Sequence, residues 1–265
     1  MRAASGTHKT KGIAGDIMIK SGGISDIGVI RQNNEDSIFV SDESVGILPN
    51  LYIVADGMGG HSAGEIASSK AIEFFIESLA ERNADDEPLS AMISAVAAAN
   101  AGVYLLANER PETSGMGTTF SAVSISEDPD GFSLICVHVG DSRIYVISSG
   151  DIGALTADHS YVADLVRRGD ITPEEARIHP RRNLITRALG TDSEVEIDRC
   201  EARLKTGDII LICSDGLSSC VSDEDILAAV TDEARTPKER ADLCAAMANA
   251  GGGRDNISAI VIDLL

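Results

Sequence analysis

Leu51-Tyr52-Ile53-Val54-Ala55-Asp56-Gly57-Met58-Gly59-Gly60-His61 runs from an apolar stretch through one acid into a glycine turn. A short apolar run bounded by glycine reads as a buried strand, so Asp56 is carried from the core to the end of a sheet, as a carboxylate must be to meet a metal. Three glycines within four residues let the backbone approach a ligand closely and turn its carbonyls inward. Behind them, Ser62-Ala63-Gly64-Glu65 has the spacing of a capping box, which predicts a helix starting at once. Strand end, acid, glycine turn and helix start together suit a cation and an anion side by side, although a tight turn with a solvated aspartate would read the same. Repetition further along the chain separates the two readings.

Gly140-Asp141-Ser142-Arg143 follows a predicted strand at 132–139, Ser214-Asp215-Gly216-Leu217 follows one at 209–213, and Gly253-Arg254-Asp255-Asn256 precedes one at 257–264. Asp56, Asp141, Asp215 and Asp255 thus all stand at the mouths of buried strands. Two bare carboxylates about 4 Å apart repel by roughly 4 kcal/mol at an effective dielectric near 20. Several such pairs rival the whole stability of a domain, roughly 5–15 kcal/mol, so cations must fill a shared pocket. Oxygen-only ligands without a His/Cys cluster suit magnesium or manganese and not zinc. Two such ions about 3.5–4 Å apart activate a water for in-line attack on a phosphoryl group. Arg31, in Arg31-Gln32-Asn33-Asn34-Glu35-Asp36-Ser37, would face the phosphoryl oxygens while Glu35 and Asp36 face a hydrated metal; a surface salt-bridge loop is the other reading. No cysteine is followed six positions later by arginine, and no Gly-Lys-Ser/Thr appears, so a cysteine nucleophile and a P-loop are both excluded.

With 265 residues, 43% of them hydrophobic, the chain can bury a sizeable core, read here as one domain over 21–265 behind a floppy polar tail at 1–20. A formal charge of −20 excludes a nucleic-acid partner, which requires a basic face. No continuous apolar stretch reaches the roughly 18 residues of a membrane span and no signal-peptide core is seen, so the expectation is a soluble, cytoplasmic protein with no membrane partner. Five cysteines without a CxxC pair read as buried reduced thiols.

The remaining elements follow from periodicity. Strands are expected near 23–29, 38–40, 117–125, 144–147 and 195–197, with a turn at Asp128-Pro129-Asp130-Gly131 and another at Ser149-Gly150. Helical stripes appear in Ile66, Ile72, Phe75, Ile76 and Leu79, across 89–106, and over 223–230 and 237–249. Residues 156–189 break the rhythm as a charged excursion with short helices at 161–168 and 173–178. Its Arg167, Arg168, Arg181 and Arg182 read either as solvated faces or as guides for a phosphorylated segment. His138, inside an apolar strand, reads as a core histidine.

The ordered set Arg31-x-x-Asn34-Glu35-Asp36, Asp56-Gly57-Met58-Gly59-Gly60-His61, Gly117-Thr118-Thr119, Val139-Gly140-Asp141-Ser142-Arg143, Ser214-Asp215-Gly216-Leu217 and Arg254-Asp255-Asn256-Ile257-Ser258 closely resembles the bacterial metal-dependent serine/threonine protein phosphatases of type 2C (the PPM family). The resemblance runs from about Gly23 to the C-terminus. It implies an α+β fold, a four-layer α-β-β-α sandwich of two antiparallel sheets flanked by helices, with metals at one edge. It also implies hydrolysis of phosphoserine and phosphothreonine in proteins by a metal-activated water at a di-metal centre of Mn2+ or Mg2+, with a weaker third ion. In that pattern Asp56 bridges two metals, the Gly57 carbonyl binds the second, Asp215 and Asp255 complete the first site, and Glu35 and Asp36 hold metal-bound waters. Asp141 with Asp215 matches the third site, Arg31 matches the phosphate-binding arginine, and 156–189 matches the flap. Eukaryotic relatives carry a histidine two residues after the bridging aspartate; Met58 stands there in this chain, so His61 is either a general acid or a turn histidine. The implied partners are phosphoproteins made by a bacterial serine/threonine kinase, met by a monomer. A phosphoprotein-binding module without turnover and a two-metal hydrolase acting on nucleotides or nucleic acid are the competing classes.

Overall fold

The computed structural model describes residues 19–60 and 63–265. Strand β3 (Leu51–Met58) is unbroken in its apolar run because both of its faces are covered: Leu51, Ile53 and Ala55 enter one hydrophobic cluster, Tyr52 and Val54 another. Successive side chains leave a strand on opposite sides, so a strand buried on both has no position for a polar residue. Strands β10 (Ile209–Cys213) and β11 (Ile257–Leu264) repeat the pattern, with Leu211, Cys213, Ala259 and Val261 on one side and Ile210, Ile212, Ile260 and Ile262 on the other.

These two-sided strands stack into four layers. One sheet has the order β1 (Ile19–Asp26), β11, β10, β7 (Arg143–Ser148), β8 (Asp151–Ala154). The other runs β2 (Asp36–Ser41), β3, β5 (Phe120–Asp128), β6 (Gly131–Val139), β9 (Asp198–Leu204), with β4 (Gly117–Thr118) added to β3. All ladders are antiparallel. The inner faces meet in a cluster containing Tyr52, Val54, Phe132, Ile210 and Ile260. Helices α1 (Ala63–Ala80) and α2 (Pro88–Glu109) cover the outside of the second sheet, while α6 (Asp223–Val230) and α7 (Pro237–Ala250) cover the first. Pro at N1 and a Thr236/Glu239 capping box start α7, and Glu87 caps α2.

Several expectations are corrected. β1 opens at Ile19, inside the stretch assigned to the tail, and ends at Asp26 rather than Val29. The strand expected at 195–197 lies instead at 198–204, an edge strand whose alternating exposure hides it in a polar sequence; Val195 and Ile197 pack against the helix cluster. The 117–125 strand is split at Thr119, and Ile66 faces out of α1. Cys136 and Cys200 are not reduced thiols: they stand opposite each other on β6 and β9, Cα atoms 5.2 Å apart, as a disulfide. Their pairing spans 64 residues and leaves no local signal. Cys213 and Cys244 are buried free thiols and Cys220 is half-buried. Alanine-rich α2 is long and apolar enough by composition to cross a membrane, but its Leu89, Met92, Val96 and Val103 are buried against α1 and the sheet. The Ser62 capping box and His61 lie outside the described residues, as does the tail up to residue 18.

Candidate metal centre

The acids come from both sheets. Asp36 opens β2 directly opposite Asp56 on β3, an unfavourable like-charge pair unless something neutralises it. From the other sheet, Asp215 follows β10 and Asp255 precedes β11, at the same end of that antiparallel pair. The crossings between sheets supply the rest: Arg31 and Glu35 lie between β1 and β2, and Asp141 lies between β6 and β7.

Each acid is fixed through its backbone. The Asp56 N–H donates to Thr119 Oγ1 at 2.9 Å, and its carbonyl accepts the Thr119 N–H at 2.9 Å and Thr118 Oγ1 at 3.0 Å. Thr119 Oγ1 in turn meets Ser142 Oγ at 2.8 Å, which ties the Asp56 turn to the Asp141 turn. Gly140 sits at φ +113° with Thr119 packed behind its Cα, so a side chain is excluded there. Gly57 donates to the Glu35 carbonyl at 3.1 Å, and a Cβ on Gly57 would run into the carbonyls of Gly64 and Glu35. Asn256 holds the Arg31 loop: its Oδ1 accepts the Glu35 N–H at 2.8 Å, and its amide donates to the carbonyls of Ile27 and Asn33. Ser214 Oγ donates to Asp36 Oδ2 at 2.8 Å and accepts the Ser258 N–H at 2.9 Å.

The electrostatics show that the carboxyls share one pocket. Burial, followed by the charges of Asp36, Asp215, Asp141 and Asp255, pushes Asp56 well above the usual carboxylate range. Burial raises Asp215 to about 8, with Asp141, Asp255 and Asp36 adding to it. Burial raises Asp141 to about 7, helped by Asp158, and Asp36 to about 6 despite hydrogen bonds from Ser258 and Ser214. Glu35 is raised by burial and held back by Arg31. Arg31 pairs with Asp255 at 2.9 Å and approaches Glu35 at 3.8 Å. As the side chains stand, no three among the described residues close tightly enough to chelate an ion unaided. The geometry accounts for this: Asp255 is turned to Arg31 and Asp36 Oδ2 to Ser214.

The chemistry of the donor set fits a hard divalent cation. It is all oxygen, it is buried, and Asp36 Oδ1 and Asp141 Oδ1 lie buried with no partner among the described residues. Asp56, Asp36, Asp141, Asp215, Asp255, Glu35, Arg31 and Gly57, separated by up to 224 positions, therefore converge.

Sequence reasoning missed the residues that hold these acids. Ser214, Asn256, Thr119 and Ser142 lie inside the quoted motifs, but their partners are 23 to 229 residues away. His159 had no signal at all. Its Nδ1 accepts the Gly140 N–H at 3.0 Å, its N–H donates to the Gly140 carbonyl at 2.8 Å, and its ring stacks on His138 at 4.9 Å. His138 lies in the core as expected, bonded to Ser121 at 2.9 Å through Nδ1, but its Nε2 has no partner among the described residues, and burial lowers it to about 4. The excursion carries α3 (Tyr161–Arg168) and α4 (Pro173–Ile178) where expected, and it is stitched back through Thr118 and Leu189.

Residues 30–250 match the family model for protein phosphatase 2C. The serine/threonine protein phosphatase PstP of Mycobacterium tuberculosis is 41% identical over 245 residues, covering 91% of this chain and 44% of that protein, so the chain spans less than half the length of this relative. The serine/threonine phosphatase stp of Listeria monocytogenes is 35% identical over 244 residues, covering 90% of this chain and 93% of its own length. Among solved structures, the catalytic domain of PstP in complex with two manganese ions superposes with a TM-score of 0.77 at 37% identity, covering 92% of this chain and 97% of that one.

Proposed function

The chain belongs to the protein phosphatase 2C family, whose relatives here are serine/threonine phosphatases, and from that premise we propose that it hydrolyses phosphoserine and phosphothreonine in proteins. One observation carries the assignment to these residues: acids delivered by two sheets meet in a buried, oxygen-only pocket with an arginine at its rim. Asp56, the Gly57 carbonyl, Asp215 and Asp255 would hold two Mn2+ or Mg2+ ions, Glu35 and Asp36 would reach them through water, and Asp141 with Asp215 would hold a weaker third. Ions so placed polarise the phosphoryl oxygens and lower the pKa of a coordinated water.

The protein's own groups do the rest. Arg31, its side chain 45% exposed, exchanges Asp255 for the phosphoryl oxygens when substrate arrives and matches the negative charge that spreads over them. Asp36, anchored at Oδ2 by Ser214, keeps Oδ1 free to accept a hydrogen bond from the attacking water and orient it. His61 is proposed as the proton donor to the leaving alkoxide. Its test is the pH profile of His61→Ala on an aryl phosphate against a phosphothreonine peptide, and equal losses on both would reject the role.

We infer further that a bacterial serine/threonine kinase is the enzyme opposed and that the form is a cytoplasmic monomer. The decisive assay is turnover of a phosphothreonine peptide with manganese. Activity is expected to vanish in EDTA and to fall about a hundred- to a thousandfold in Asp215→Asn, the scale of losing one stabiliser of transition-state charge. Activity surviving either change, or faster turnover of nucleotides than of phosphopeptide, would reject the proposal.

A further inference from the structure

A cavity of about 800 Å³ opens beside the carboxylate cluster, between the flap helices α3 and α4 on one side and α5 (Asp215–Ser218) with the turn into α6 on the other. Its lining is mixed in charge: Asp141 and Asp215 come from the carboxylate cluster, and Arg167, Arg177 and Arg182 come from the flap segment. Arg143, which also reaches the cavity, is held by Asp158 through two hydrogen bonds of 2.8 Å, and Arg167 is paired with Asp164 at 2.8 Å. Asp225, on the opposite wall, is engaged by Ser222 at the start of α6. Arg177 and Arg182 have no carboxylate partner among the described residues.

The background makes this unusual. Residues 156–189 hold six arginines against five acids, whereas the rest of the chain holds 16 basic residues against 37 acids. Local positive charge is therefore concentrated beside the carboxylate pocket on a strongly acidic molecule. The wall is also half apolar: Val162, Val166 and Pro173 line the cavity, and neither α3 nor α4 buries a single residue in the core. An amphipathic helix with no core beneath it has an apolar stripe available to a ligand.

We propose that this cavity is a second substrate subsite, which takes an anionic side chain of the phosphoprotein flanking the residue being hydrolysed and holds it with Arg177 and Arg182. The inference rests on the phosphatase reading above. A rounded cavity of this volume is about 11 to 12 Å across, which at about 3.4 Å per extended residue places the anion up to about three residues from the phosphorylated one. Guanidinium groups pair with phosphate and carboxylate alike, so a second phosphothreonine and a glutamate are both accepted.

The test uses the full chain with manganese and three peptides: one phosphothreonine with neutral flanks, the same peptide with glutamate two and three residues away on each side, and the same with a second phosphothreonine there. The anionic flanks are expected to raise kcat/KM about tenfold or more, mainly through KM, with the advantage shrinking as salt rises. Arg177→Ala/Arg182→Ala is expected to abolish that advantage and leave turnover of p-nitrophenyl phosphate unchanged, which also certifies the fold. Fluorescence anisotropy of a labelled glutamate peptide carrying no phosphoester reads the subsite without turnover and is expected to show tighter binding to wild type than to the double variant. Equal kcat/KM for neutral and anionic peptides in wild type, or equal anisotropy for wild type and the double variant, would overturn the subsite. Loss of all phosphoester turnover with the anisotropy difference intact would instead overturn the phosphatase reading.

Discussion

Ser214 shows what a residue beside the acids does. One hydroxyl joins Asp36 Oδ2 to the Ser258 N–H, and all three are buried. Ser214→Ala strands both partners, at a cost of about 1–3 kcal/mol, and frees Asp36 to rotate. We expect the denaturation midpoint to fall accordingly and manganese affinity to weaken by about 10–100-fold, the usual scale for a lost support behind a ligand. Titration of manganese followed by turnover checks it, and unchanged affinity in a destabilised variant would leave Ser214 a purely structural residue. At this scale the acids were legible because aspartate beside glycine at a strand mouth is a strong local pattern. Their supports were not, because a serine that bridges 178 positions looks like any other serine until the strands are paired.

Among elements, the end of β3 and the turn after it differ sharply in the space they leave. Gly57 and Gly60 sit three residues apart, yet a Cβ on Gly57 meets the carbonyls of Gly64 and Glu35 while one on Gly60 meets nothing within 4 Å. Gly57→Ala must therefore push α1 away from the Arg31 loop, costing about 1–3 kcal/mol and displacing Glu35. The expected result is loss of most activity and a lower melting temperature for Gly57→Ala, with near-wild-type values for Gly60→Ala; the reverse order would refute the packing argument. Elements whose two faces are both buried, such as β3, β10 and β11, were readable from apolar runs, and α3, α4 and α6 from capping residues and periodicity. The edge strand β9, with polar residues alternating toward solvent, and the four-residue α5 were not, because edge strands and single turns are defined by partners rather than by their own composition.

For the whole molecule, the pocket sets how stability depends on pH. Asp36, Asp141 and Asp215 carry folded pKa values of about 6, 7 and 8, raised from 3.8, chiefly by burial. A carboxyl whose folded pKa is raised contributes stability below its unfolded pKa and loses it as pH rises through the folded one. His138, lowered by burial to about 4 from 6.5, acts oppositely, its contribution being lost as pH falls below 6.5. Above pH 6.5 the carboxyls outweigh what remains of the histidine contribution, so in EDTA the melting temperature is expected to fall between pH 6.5 and 8.5. On the proposed function manganese would bind the folded site and neutralise the repulsion, so its stabilisation is expected to be larger at pH 8.5 than at 6.5, by several degrees at about 2–4 °C per kcal/mol. Equal stabilisation at both pH values, read by calorimetry, would contradict a site built on mutual repulsion.

The seam between the sheets adds a mechanical consequence. Asp36 and Asp56 travel with one slab of the sandwich and Asp215 and Asp255 with the other, so a slip of one slab over its neighbour changes every separation between the two pairs at once. Breathing of the outer helices leaves those separations alone. On the proposed function an ion seated across the seam would work as a bolt, and catalytic output would gauge how firmly the two slabs are fastened, extinguished by mild loosening while the helices still stand.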